Sequence, residues 1–332
     1  MKPQHQPVQP PRPAGVVRFY NFLAPGNRFR DDVFEGLAAD PKFIAPRWSL
    51  NESGIRIHRV LADLPEWYQT RDESALVRDH LDELAQLIGA NAQLIEIGGG
   101  ASSASLLLID RLEPVLHMQV DADPVALTGA ARGLSGVSPW LNICGILADP
   151  AGALALPEFV GLQIRRKIVW LPASALTRFT PDQLYEALRT ARRMIGRAGG
   201  LLVAVDLKTD HKRLVEAYSD AEGVMALYNA NLLARANDEL EADFQTSRFG
   251  YRAFYDEVRG RVVMAMESRF AQFVRVGDER FDFAAGERLV TGIASLYTTD
   301  GFLALARDAG LTSQMSWMDD GHHLCLHWMV AV

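Results

Sequence analysis

Only two cysteines occur in 332 residues, and Cys144 and Cys325 both sit in apolar surroundings with no CxxC and no Cys/His ligand spacing. That excludes a disulfide scaffold and a zinc ribbon, and leaves buried reduced thiols of a cytoplasmic protein as the expectation. Long apolar runs are also missing. None approaches the roughly 20 residues of a bilayer span, and the start of the chain lacks the basic-then-apolar profile of a secretion signal. Nor is there an excess of positive charge: 34 Lys and Arg face 41 Asp and Glu, net −7, with the signs interspersed. Neither nucleic acid nor a membrane is therefore the expected partner; a small molecule is. No metal is expected either. His322, His323 and His327 cluster in a hairpin-like stretch where His323 and His327 share one face and His322 takes the other, with only Asp319 and Asp320 nearby.

What is present is a 48% apolar chain, enough for one large domain or two. Residues 1–15 are read as a disordered tail, since the first fourteen hold five prolines and three glutamines without apolar periodicity. A helix is expected near 29–37 and a long amphipathic one over 72–87. Strands at 94–97, 115–120, 140–146, 167–171 and 201–205 then alternate with helices at 104–112, 124–134 and 181–195. This pattern predicts an α/β fold with a doubly wound, Rossmann-like sheet. Thr180-Pro181-Asp182-Gln183 has the form of a helix start. After Asp206 the alternation breaks into helix at 211–245 and short antiparallel strands at 251–257, 261–269, 272–276 and 279–283. A second, α+β domain over 211–295 is thus expected, inserted in a first domain of 16–210 plus 296–332. The last part reads as a helix and a closing hairpin that return to the first sheet. A monomer or weak homodimer is the expected state.

The most informative stretch is Gln93-Leu94-Ile95-Glu96-Ile97-Gly98-Gly99-Gly100, an apolar run ending in an acid and three glycines, with Val120-Asp121 closing the next run. Gly98 and Gly100 let the backbone turn tightly and approach a ligand, and Asp121 can accept hydrogen bonds from two ribose hydroxyls. The third glycine of a dinucleotide fingerprint is replaced by Ser103, and no cation stands nearby for a pyrophosphate. A nucleoside without phosphates fits better, S-adenosylmethionine (SAM) above all; a glycine turn with no ligand is the alternative.

Other stretches join that loop in order: Pro46-Arg47-Trp48, Leu64-Pro65-Glu66-Trp67-Tyr68-Gln69-Thr70-Arg71, Val205-Asp206-Leu207-Lys208, Ala217-Tyr218-Ser219-Asp220-Ala221-Glu222-Gly223-Val224 and Asn229-Ala230-Asn231-Leu232-Leu233. Together they resemble the histidine Nα-methyltransferases of ergothioneine biosynthesis. The resemblance implies a class I SAM-dependent methyltransferase fold with an inserted substrate domain. It also implies that Glu96, Gly98, Gly100 and Asp121 serve the cofactor, that Tyr68 lies near both ligands, and that Tyr218 binds the acceptor. Tyr68 and Tyr218 are then the candidate catalytic side chains, since a phenol offers a π face to a cation and a hydroxyl to an amine. Core packing is the other reading of both. Trp170, at the end of its strand, either faces the sulfonium or belongs to the core.

Departures from the family are equally informative. Gly145-Ile146-Leu147 replaces a Gly-Asp-Phe whose Asp reaches adenine, so Ile146 and Leu147 are expected to hold the base by apolar contact. Arg178 falls where the family places an Asn on the acceptor carboxylate, and either grips that group through its fork of donors or is a surface charge. Gly292-Ile293-Ala294 replaces the Glu-x-Ser that contacts imidazole, leaving Gly292 and Ala294 as substrate-pocket candidates without polar groups. Losing such partners can cost discrimination by about 10⁴. The expected activity is therefore SAM-dependent N-methylation of a small amino acid or related metabolite, not histidine. One alternative is closure of SAM on itself to azetidine-2-carboxylate and methylthioadenosine. Another is a non-catalytic relative that binds a nucleoside.

Overall fold

Eight strands build the central sheet of the computed structural model, which describes residues 14–23, 26, 28–98, 102–152, 154, 156–159, 161–209 and 211–332. Residues 1–13 of the expected tail lie outside that range, as does Gly100. In chain order β1 (Val17–Asn21) is followed by α1 (Arg28–Ala38), α2 (Glu52–Ala62), α3 (Tyr68–Asp79) and α4 (Leu81–Ile88). The alternating part comprises β2 (Ala92–Ile97), α5 (Ser103–Leu112), β3 (Leu116–Asp121), α6 (Pro124–Val137), β4 (Ile143–Leu147), β5 (Arg166–Leu171), α7 (Ala173–Leu176), α8 (Pro181–Ile195) and β6 (Gly200–Asp206). Next come α9 (His211–Ala217), α10 (Val224–Leu240), β7 (Phe249–Asp256), β8 (Arg261–Ser268), β9 (Gln272–Val276), β10 (Glu279–Phe283) and β11 (Arg288–Ser295). Helix α11 (Thr299–Asp308) and the hairpin of β12 (Leu311–Met318) and β13 (Leu324–Ala331) close the chain.

The sheet order is β1-β4-β3-β2-β5-β6-β13-β12. All pairs from β1 to β6 are parallel, and β13 runs antiparallel between β6 and β12. Every residue of β2 and β6 is buried, as expected of parallel strands covered by helices on both faces. The order reverses between β2 and β5, so a crevice opens outside their carboxyl ends, where open α/β sheets bind ligands. Thr180 caps α8 in a full capping box with Gln183, and Pro181 starts that helix.

Two elements differ from the sequence reading. The helix expected over 72–87 is divided into α3 and α4 at His80, whose φ is −110° and whose ring packs on Trp317. Strand β11 is an addition. It pairs with β8, and a bulge at Thr291 shifts the register between Val290 and Gly292, disturbing the alternation that marks a strand. With β7 these strands form a three-stranded sheet, while β9 and β10 make a hairpin. One apolar cluster joins Phe29, Ile44 and Trp48 to Leu232 of α10 and Leu289 of β11, so the segment before α2 packs on the same core as the later strands. Both cysteines are buried and free, and no helix among the described residues is long and apolar enough to cross a membrane.

Candidate active site

A cavity of about 610 Å3 lies at the crevice, lined by Gly98, Asp121, Asp149, Ala175, Arg178, the 43–47 segment and Gly292. Gly98 has φ +69°, a conformation that favours glycine, and a Cβ there would crowd that of Ala175 at 3.1 Å. Asp121, half-buried at the end of β3, accepts the Asp123 N–H at 2.9 Å. Burial pushes its carboxyl up to about 6, opposed by that N–H and by Arg178. Ile146 is fully buried in the core, Leu147 is half-buried, and neither lines the cavity. Asp149, two residues beyond β4, does. The sequence reading put apolar side chains where the structure brings a carboxylate.

Trp170 lines neither this cavity nor the smaller one beside it. The sheet register pairs it with Glu96, and the indole N–H donates to Ser105 Oγ at 3.0 Å. Ser105 in turn donates to Glu96 at 2.8 Å, so both side chains point toward α5 and away from the crevice. Glu96 is fully buried, with its second oxygen 3.5 Å from His117 Nε2, and burial pushes its carboxyl up to about 8. A carboxyl raised in the folded state contributes stability below its unfolded value of 4.5, and that stability is lost as pH climbs toward 8. Glu96→Gln keeps the Ser105 bond and cannot ionise. Wild type should lose about 2–3 kcal/mol from this group between pH 6 and pH 9. The variant should not, which thermal denaturation at the two pH values will read; equal losses in both proteins would refute the assignment.

The smaller cavity, about 60 Å3, adjoins the first, since Pro46, Arg178, Gly292 and Ile293 line both. Gln69, His58, Tyr218, Asn229 and Thr291 give it a polar wall, and no described Asp or Glu lines it. Burial holds His58 down to about 4, with Arg178 adding to the effect, so its ring is neutral at pH 7. Arg178 donates through Nε to the Ser174 carbonyl at 2.7 Å, which fixes the guanidinium at the junction. Tyr218 is buried; its phenol oxygen accepts from Gln69 Nε2 at 2.7 Å. The same nitrogen donates to Asp206 Oδ2 at 3.2 Å, and Tyr68 donates to Asp206 Oδ1 at 2.8 Å. Tyr68 itself lines neither cavity; the Arg213 guanidinium lies 5.2 Å from its ring centroid. Burial pushes Asp206 up to about 7 and Tyr218 well above the usual phenol range.

Gly292 stands where a Cβ would approach Met264 Cε to 2.8 Å, so the methionine occupies the space of a side chain there. Ala294 lines neither cavity and packs in the buried cluster of Tyr218 and Met264. Among the other lining residues, Gln69 lies inside the 64–71 stretch that the sequence reading quoted but left without a role. Asp206 was likewise quoted only as part of a motif. Asn229 heads the 229–233 stretch, also quoted without a role, while His58 and Thr291 carried no local signal.

Residues 29–331 match the family described as histidine-specific, SAM-dependent methyltransferase. The chain is 34% identical over 310 residues to the histidine N-alpha-methyltransferase of Mycolicibacterium smegmatis, covering 90% of this chain and 94% of the relative. An N-methyltransferase of Aspergillus flavus is 22% identical, over 87% of this chain and 81% of its own length. A solved S-adenosylmethionine-dependent methyltransferase from Clostridium acetobutylicum has a TM-score of 0.50 at 10% identity, over 84% of this chain and 97% of that one. With the family model matched from α1 to β13 on a doubly wound sheet, the chain belongs to the histidine-specific, SAM-dependent methyltransferase family.

Proposed function

We propose that this N-methyltransferase acts on the amine of a small amino acid or related metabolite other than histidine. The observation that carries the reading is the 60 Å3 acceptor cavity, bounded by Gly292 and Ile293 where the resemblance expects imidazole contacts. In the larger cavity Asp121 would hold the ribose hydroxyls, Asp149 the adenine amino edge, and Gly98 the close backbone approach. The residues present fit SAM, which when bound supplies a sulfonium-activated methyl group.

On the acceptor side Arg178 and Tyr218 would grip a carboxylate. With no described carboxylate on the wall to stabilise an ammonium, the amine is taken up neutral. The fold then contributes mainly position and exclusion of water. In this reading residues 211–295 form the substrate domain, set on a cofactor domain of 16–210 and 296–332. Ring closure of the cofactor on itself has no use for a polar second cavity and is not adopted.

The test is incubation with SAM and, separately, glycine, L-alanine, L-serine or L-histidine, followed by mass spectrometry. N-methylated small amino acids and S-adenosylhomocysteine are expected, with kcat/KM for histidine at least 100-fold lower. Preferred methylation of histidine, or methylthioadenosine formed from SAM alone, would overturn the reading.

A further inference from the structure

We propose that Gln69 is a positioning residue that aims the Tyr218 hydroxyl hydrogen into the acceptor cavity, where it donates to the acceptor's carboxylate beside Arg178. This rests on the amino-acid reading above. Gln69 is 4% exposed, and its amide nitrogen has two hydrogens. One goes to the Tyr218 phenol oxygen at 2.7 Å and the other to Asp206 Oδ2 at 3.2 Å. Turning the amide over would set its oxygen 3.2 Å from Asp206 Oδ2, acceptor against acceptor, whereas the phenol could meet either end of the amide. Asp206 is held in turn, because its other oxygen accepts from Tyr68 at 2.8 Å. The orientation of Gln69 is thus dictated by a buried carboxylate.

The consequence falls on Tyr218. A phenol hydrogen lies near the ring plane on one of two sides, and the side toward Gln69 is taken by the amide hydrogen. Trp67 packs edge-on against the ring at 5.4 Å, and Tyr251 donates to the Tyr218 carbonyl at 2.6 Å, which holds the backbone beneath it. Burial keeps the phenol protonated, so a hydrogen is always there to give. No described residue accepts it. Arg178 lines the same cavity with Nε committed to Ser174, and its terminal nitrogens have no hydrogen-bond partner among the described residues. A fork of N–H donors and one aimed O–H suit the two oxygens of a carboxylate. An amine without an acid group would leave the Tyr218 hydrogen without an acceptor.

A double-substitution cycle tests this. Gln69→Glu is isosteric but puts a carboxyl oxygen where Nε2 stands: sharing one proton with Asp206, that oxygen keeps a lone pair toward Tyr218 and draws the phenol hydrogen out of the cavity. Gln69→Met, which only removes the donors, serves if the first variant folds poorly. Glycine and L-alanine are the probes, by steady-state kinetics and by calorimetry on the protein saturated with S-adenosylhomocysteine. Gln69→Glu and Tyr218→Phe should each raise the KM and Kd of the amino acid about tenfold, with SAM affinity unmoved. The double variant should be no worse than Tyr218→Phe alone.

Losses that multiply, or unchanged amino-acid affinity in both Gln69 variants, would overturn the inference while leaving an active N-methyltransferase. Binding of SAM with neither glycine nor L-alanine bound would overturn it as well. Failure of the underlying reading shows differently, as absence of any methylated small amino acid from the wild-type protein.

Discussion

Replacing Asp121 with alanine is expected to weaken SAM binding about 100-fold, because two hydrogen bonds from ribose hydroxyls to a charged group contribute about 1.5 kcal/mol or more each. The carboxylate stands at the end of β3 on the wall of the large cavity, and the Asp123 N–H orients one of its oxygens at 2.9 Å. Asp121→Asn, which keeps one acceptor, should fall between the two. A pH dependence accompanies the effect. Burial raises this carboxyl to about 6, and ribose hydroxyls are held better by the ionised form, so affinity should decline as pH falls below about 6 in wild type but not in Asp121→Ala. Calorimetry at pH 7.5 and pH 5 reads both. A loss below threefold at pH 7.5 would mean that the nucleoside does not lie over β3.

The same strand ends show how far the sequence can be read. Strands β2, β3, β5 and β6 were legible because parallel strands covered on both faces are written as nearly continuous apolar runs between glycine-marked or capped helices. Strand β11 was not, since Thr291 and Gly292 interrupt its run and the bulge between Val290 and Gly292 breaks the two-residue period. Gly98 and Asp121 meet on one cavity wall because β2 and β3 are neighbours and both residues stand at the strand ends. Trp170 illustrates the limit. Its place at the end of β5 could be read, but which face it takes depends on register with Glu96, and a one-residue slip reverses every side chain.

The smaller cavity was less legible still. Gln69 of α3, Arg178 just after α7, Tyr218 just after α9 and Gly292 of β11 come from separate parts of the chain and meet only through tertiary packing. No spacing in the chain encodes that meeting. Asp149 was hidden for a simpler reason: it follows β4 by two residues, and an Asp-Pro in a loop reads as turn chemistry before it reads as a ligand.

Arg235→Met should be strongly destabilising, and it shows how the later elements are tied to the crevice. In mid-helix α10 an arginine looks like solvent-facing charge, yet this one is 3% exposed. Its Nη1 donates to Asp123 Oδ2 at 2.7 Å and to the Trp48 carbonyl at 2.6 Å, its Nε donates to Glu239 at 2.8 Å, and Phe29 lies under the guanidinium at 4.7 Å. Asp123 is fully buried and caps α6 through the N–H groups of Val125 and Ala126. Removing the cation therefore strands a buried carboxylate that the fold cannot expose. A broken buried pair costs about 3–5 kcal/mol, which lowers the melting temperature by on the order of 10 °C in a chain of this size. Asp123 also supplies the N–H that orients Asp121, so SAM affinity should weaken in the same variant even below its melting temperature. Adding Asp123→Asn removes the stranded charge while keeping a capping oxygen, and should recover part of the lost stability. Thermal denaturation of the two variants decides the point, for a loss under about 1 kcal/mol in Arg235→Met would mean that the pair is solvated and that α10 is not what holds the α6 cap beneath the ribose site.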